Sequence, residues 1–230
     1  MYDLVRRLMS ECFGTALLLI TVVGSGLTAE RLATDSGLAL LGSAVATGAT
    51  LFVIISLFSA VSGAHFNPLI TLVAAVRQVL VWREAWLYVM VQIIGAISGL
   101  IVTRWMFDLP LARPAHTVFG TRGLWVSEAF ATCGLVVSVM MANHYARQQV
   151  AAIVAAYVAT TFYCLPISIA NPAAAIARSM TDTMFGIARS DLAAVVLMQI
   201  VGAVLGGAIA SFLIRCGGPQ RKYTQLSNRG

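Results

Sequence analysis

The sequence predicts an all-α membrane protein in which six transmembrane helices and two re-entrant half-helices form an inverted repeat. Three observations carry this reading. Of 230 residues, 59% are hydrophobic and only 10% charged, too apolar for a water-soluble domain. Asn-Pro occurs twice within such apolar sequence, in SGAHFNPLITL (residues 62–72) and ISIANPAAAIA (residues 167–177). The landmarks of the first half also recur, in the same order, in the second.

A helix needs about 20 mostly apolar residues to cross a bilayer. The stretches that meet or approach this are about 8–29, 38–61, 83–103, 124–142, 149–166 and 191–214. The first, which contains Glu11 and lacks a small-residue cleavage site, reads as a span rather than a leader. Between the second and third spans lies Asn67–Val76, and between the fifth and sixth lies Asn171–Met180. Both are apolar enough for the membrane but too short to cross it. Placing the N-terminus in the cytoplasm puts nine of the 15 Lys and Arg residues inside and six outside, which favours that orientation. Both termini are then cytoplasmic, in the cell inner (plasma) membrane. Basic residues are dispersed, with no block that would bind nucleic acid. Cys12, Cys133, Cys164 and Cys216 lie in or beside apolar segments at no metal-ligand spacing and read as structural thiols.

The halves are copies. SECFGTALL from Ser10 and SEAFATCGL from Ser127 share Ser-Glu and a threonine four residues after the glutamate. QIIGAISG from Gln92 and QIVGAVLG from Gln199 match at five of eight positions. Three spans per half is an odd number, so the second copy enters from the opposite side. In such folds the working site lies near the midplane, where broken helices of the two halves meet. The chain therefore reads as one domain over 1–230, with repeats at about 8–104 and 124–214 and a polar cytoplasmic tail at 215–230. The pairs Gly95/Gly99 and Gly202/Gly206 are spaced for close helix crossing.

Asparagine is a good N-cap and proline suits the first helical position. Asn67-Pro68 and Asn171-Pro172 therefore start helices whose first backbone N–H groups lack intrahelical partners. If each side-chain oxygen is used locally, each NH₂ is left to face a lumen as a donor. Two donors from opposite sides suit a neutral, oxygen-bearing solute. The positive ends of two helices oppose cations, protons included.

These residues resemble those of the aquaporins and glycerol facilitators, the major intrinsic proteins, over nearly the whole chain from Glu11 to about Gly207. The match rests on SGAHFNP, the second NPA and the repeated Glu and Gln-Ile landmarks. It implies a pore in every subunit, a homotetramer, a lipid environment, small neutral solutes as permeants and no cofactor. By resemblance Asn67 and Asn171 are the pore donors, and Asn67-Pro68-Leu69 and Asn171-Pro172-Ala173 are the paired motifs. The first departs from the family's Asn-Pro-Ala: Leu69 adds bulk that either narrows the pore or alters packing.

Selectivity departs further. Family members that pass water or glycerol usually carry an arginine three residues after the second asparagine; here it is Ala174. The often aromatic wall residue is Thr47, a third position is Ser168, and the fourth falls within Thr161–Cys164. Three small residues imply a wide constriction and solutes larger than water. Arg178, one turn beyond Ala174 and ~6 Å nearer the outer mouth, either guards the vestibule or pairs with Asp182. The non-arginine residue after the second motif and the IARSMTDTMFGI that follows resemble a bacterial branch linked to arsenic resistance. That implies uncharged arsenite or small methylated arsenicals alongside glycerol-like solutes.

Glu11 and Glu128 lie inside spans, where ionisable residues usually mark function. The resemblance favours a structural role, with each carboxylate accepting hydrogen bonds from a loop, and Gln92 and Gln199 as similar interhelical partners. The alternative is a proton-coupled secondary transporter using Glu11 and Glu128. His65 is either a gate or, as preferred, a packed residue whose backbone carbonyl lines the pore. His116 and His144 read as loop residues. No Ser/His/Asp set, metal cluster or catalytic carboxylate pair emerges, so an enzyme is not expected.

Overall fold

The structure is a computed structural model that describes residues 2–32, 35–110, 122–165, 168–183 and 185–216. All regular elements among them are helical: α1 (Tyr2–Leu32), α2 (Ser36–Ser62), α3 (Pro68–Val76), α4 (Trp82–Met106), α5 (Arg122–Tyr145), α6 (Val150–Cys164), α7 (Pro172–Arg178) and α8 (Arg189–Cys216). A single 3-10 turn, Arg147–Gln149, leads into α6. Five of the long helices have the length and hydropathy to cross a bilayer. The sixth, α6, has only 15 residues, or ~22 Å at 1.5 Å per residue. It ends before Pro166, because proline disfavours helical geometry in the residue that precedes it. The expected span of 149–166 is therefore shorter at both ends. The tail beyond Cys216 and His116 lie outside the described residues.

Local chemistry sets several ends. Asp35 caps α2, its carboxylate accepting from Leu38 N at 2.8 Å. Gly63 ends it at φ 91°, donating its N–H to Ser59 O, in a left-handed position that glycine takes without strain. Long apolar side chains such as Phe13, Phe130 and Phe212 point outward and are more than half exposed. Glu11, Gln92, Thr132, Glu128 and Gln199 are fully buried. Apolar outside and polar within is the arrangement a lipid solvent selects.

The helices pair by repeat: α1 packs most extensively on α4, and α5 on α8, while α2 faces α6. Helices α1 and α4 are parallel, since Arg7 near one start meets Glu84 near the other at 2.8 Å. At their ends Arg31 donates to Phe107 O at 3.0 Å. Glycine makes both pairings possible. A Cβ on Gly95 or Gly99 would lie 2.2 or 2.4 Å from the Cys12 or Ala16 carbonyl oxygen. On Gly202 or Gly206 it would lie 2.2 or 2.4 Å from those of Ala129 or Cys133. The same crossing is thus built twice. Gly202→Ala is expected to lower the melting temperature of the detergent-purified protein, because overpacking of ~1–3 kcal/mol outweighs a helix-propensity gain of about 1 kcal/mol. Gly207→Ala, where an added Cβ meets nothing within 4 Å, should leave it level or raise it.

The half-helices run to opposite faces. From Asn67, α3 returns to the face carrying the start of α1. From Asn171, α7 runs to the other face, where Arg104 at the end of α4 donates to Thr181 Oγ1 at 2.8 Å. The starts of α3 and α7 meet inside the bundle.

Candidate functional site: a cavity past two helix tips

Each half-helix is capped by its asparagine in extended geometry, Asn67 at φ −153° and Asn171 at φ −154°. Asn67 Oδ1 accepts from Leu69 N at 2.9 Å. Asn171 Oδ1 accepts from Ala173 N at 3.1 Å and Ala174 N at 3.4 Å. Pro68 and Pro172 follow at the first helical position, where no N–H is missed.

The residue before each asparagine is left-handed: Phe66 at φ 49° and Ala170 at φ 46°. Such a conformation costs a non-glycine residue ~1–3 kcal/mol and persists only when its surroundings impose it. A buried carboxylate does so in each half. Glu11 accepts from His65 N at 3.0 Å, Phe66 N at 2.7 Å, Ser62 Oγ at 2.6 Å and Gln92 Nε2 at 2.8 Å. Glu128 accepts from Ile169 N at 2.6 Å, Ala170 N at 3.1 Å and Gln199 Nε2 at 2.7 Å. Gln92 also reaches Thr71 Oγ1 at 2.9 Å, and His65 Nδ1 lies 3.1 Å from the same hydroxyl.

The left-handed turn aims each preceding carbonyl across the midplane. Asn67 Nδ2 donates to Ala170 O at 2.7 Å, and Asn171 Nδ2 to Phe66 O at 2.8 Å. This revises the expected pair of free amides. Of the two N–H groups on each NH₂, one stitches the halves together and one is left over.

A cavity of about 640 Å³ passes both asparagines. Toward one end its lining includes Arg77, His144 and Arg147, and toward the other Thr47, Ser168, Ala174 and Arg178; His65 lines it between them. Leu69 and Ala173 are not among the lining residues. Both are buried in the core, so the bulk of Leu69 goes into packing behind the tip. Within Thr161–Cys164, Thr161 and Phe162 line the cavity, whereas Tyr163 and Cys164 are exposed.

Arg178 is buried. Its Nε donates to Phe185 O at 2.5 Å, and its guanidinium lies 5.6 Å from the centre of the Phe185 ring. Ion pairs near the start of α1 include Arg6 and Arg7 with Asp3, and Arg7 with Glu84.

Two residues stand where the sequence did not put them. His144 is on the last turn of α5 rather than in a loop. Arg104, expected in an outer loop, is in the last turn of α4 and 2% exposed, with Nε on Pro110 O and Nη1 on Thr181 Oγ1. Its place four residues after Leu100, in phase with the buried stripe Gln92, Ala96 and Leu100, was the available signal.

Two capped half-helices abutting inside six longer helices, with a cavity running past their tips, define a membrane channel. The chain belongs to the major intrinsic protein family, whose model matches residues 1–213. It is 38% identical over 224 residues to the aquaglyceroporin AqpS of Rhizobium meliloti (strain 1021), covering 97% of this chain and 96% of that one. It is 26% identical over 209 residues to the probable aquaporin NIP7-1 of Arabidopsis thaliana, covering 87% and 74%. The aquaglyceroporin from Plasmodium falciparum, solved by X-ray, shares the fold at a TM-score of 0.65 and 16% identity, over 92% of this chain and 97% of that one. This protein is accordingly a multi-pass inner-membrane channel for small solutes, passive in action, and not an enzyme.

Proposed function

We propose that the protein conducts small uncharged polar solutes wider than water, namely glycerol-like molecules, arsenite and methylated arsenicals, with water able to follow and ions and protons excluded. The observation that carries this is that Thr47, Ser168 and Ala174 line a cavity that also passes Asn67 and Asn171. Three short side chains leave width, and the remaining N–H of each asparagine offers a donor to a passing oxygen. The absence of Asp and Glu from the described lining, beside the positive ends of two helices, disfavours cations. The aquaglyceroporin name of the Rhizobium relative supports a solute broader than water.

In this reading Glu11, Glu128, Gln92 and Gln199 hold the loops that present the tips. His65 contributes backbone to the pore wall, and Arg178 guards the vestibule. The single domain is two inverted repeats, both termini are cytoplasmic, and four copies assemble. Cells lacking their own facilitators, expressing this chain, are expected to take up arsenite and glycerol faster than controls. Water flux without solute flux would remove the wide-pore claim.

A further inference from the structure

Arg178 lines the cavity in a way the passage of neutral solutes does not require. Its side chain is 4% exposed, and an uncompensated charge at that depth is costly. One of its five N–H groups is satisfied by Phe185 O. The ring of Phe185 lies beside the guanidinium. That leaves the two terminal nitrogens, a planar fork whose spacing matches a pair of oxygens on one carbon, sulfur or phosphorus. Glu128 is within electrostatic reach of Arg178, but its oxygens already accept from Ile169 N, Ala170 N and Gln199 Nε2. It does not line the cavity.

Thr47 lines the same end of the cavity, but its Oγ1 is itself buried and does not open to the lumen. The Arg178 fork is therefore what an oxyanion meets at that end. Over its whole length the described lining holds Arg77, Arg147, Arg178, His65 and His144 and no carboxylate. A cation has no carboxylate to pair with there, and an oxyanion has the fork.

We propose that the Arg178 end of the passage is a built subsite for a small monovalent oxyanion, and that an anion seated there blocks the neutral solute. The proposal rests on the channel reading above and adds a ligand to it. Held is not passed. Moving inward, the anion exchanges a guanidinium for the midplane, where each asparagine has already committed one N–H to the opposite loop. The charge loses its counter-ion before it gains enough donors to replace it.

Methanesulfonate tests this, since it stays anionic near neutral pH and does not cross lipid as a neutral acid. Glycerol and water efflux from proteoliposomes would be followed in sodium methanesulfonate and in sodium chloride at equal ionic strength. Wild-type flux is expected to fall with methanesulfonate. Arg178→Gln should raise the half-inhibitory concentration by at least about tenfold, the scale of one charge-assisted hydrogen bond. Arg178→Lys should lie between wild type and Arg178→Gln.

Equal wild-type flux in the two salts overturns the proposal, as does unchanged inhibition in Arg178→Gln. Calorimetric titration of methanesulfonate into the detergent-purified protein reads the subsite without any flux. Silent vesicles beside a titration that depends on Arg178 would sink the channel reading and keep the subsite. Active vesicles with no binding would do the reverse. If Arg178→Gln fails to fold, Arg178→Lys carries the comparison.

Discussion

Glu11→Leu is expected to abolish the folded channel rather than to alter its coupling. Four donors converge on that carboxylate, two of them the backbone N–H groups of His65 and Phe66. Each buried donor left without an acceptor costs ~1–3 kcal/mol. Two or more such orphans approach the whole 5–15 kcal/mol margin of a typical fold. Phe66 would also lose the contact that keeps it left-handed, and its carbonyl would leave Asn171. The measurements are melting temperature and monodispersity in detergent. Glu128→Leu, with three donors, should follow at equal or smaller cost. A Glu11→Leu protein that melts like wild type and loses only a proton-dependent part of its uptake would make the carboxylate a coupling group.

Ala174→Arg should lower solute permeability by about tenfold or more while water permeability falls far less. Ala174 is 6% exposed and lines the cavity together with Thr47 and Ser168, so the six heavy atoms that arginine adds there enter the lumen. It also places a second guanidinium one turn from Arg178, where like charges at i and i+4 repel and the new group is driven toward open space. Stopped-flow swelling in glycerol and in an impermeant osmolyte separates the two fluxes. Equal loss of both would show that Ala174 is not part of the filter.

Much of this architecture was readable because its signals are local. Each Asn-Pro supplies a capping side chain and a first-turn proline in two adjacent residues, and both starts formed. The glutamates were legible as paired landmarks, since a charge inside a span needs partners. The glycine pairs announced close crossings, because a missing side chain is itself the signal.

What stayed hidden depends on distances across the fold. Nothing in SGAHF marks Phe66 as left-handed; glycine or asparagine would have done so, but here a carboxylate from another helix imposes the conformation. The asparagine bridges were invisible for the same reason, since their acceptors are carbonyls more than a hundred residues away. Arg104 was misjudged because a charge near a helix end ordinarily faces water, whereas here it is buried and donates to Thr181 and Pro110. The end of α5 was missed by one turn, because hydropathy fades there before the helix does.

The two reciprocal amide bonds make the waist of the molecule a rivet. Each half supplies one donor and one acceptor, so neither half can tilt against the other without breaking both bonds. A rocking cycle of the alternating-access kind would tear and remake that fastening at every turnover. A fixed-bore orifice has no such toll, which is why any closing of this protein belongs to its two mouths, around Arg178 on one side and Arg77 and Arg147 on the other.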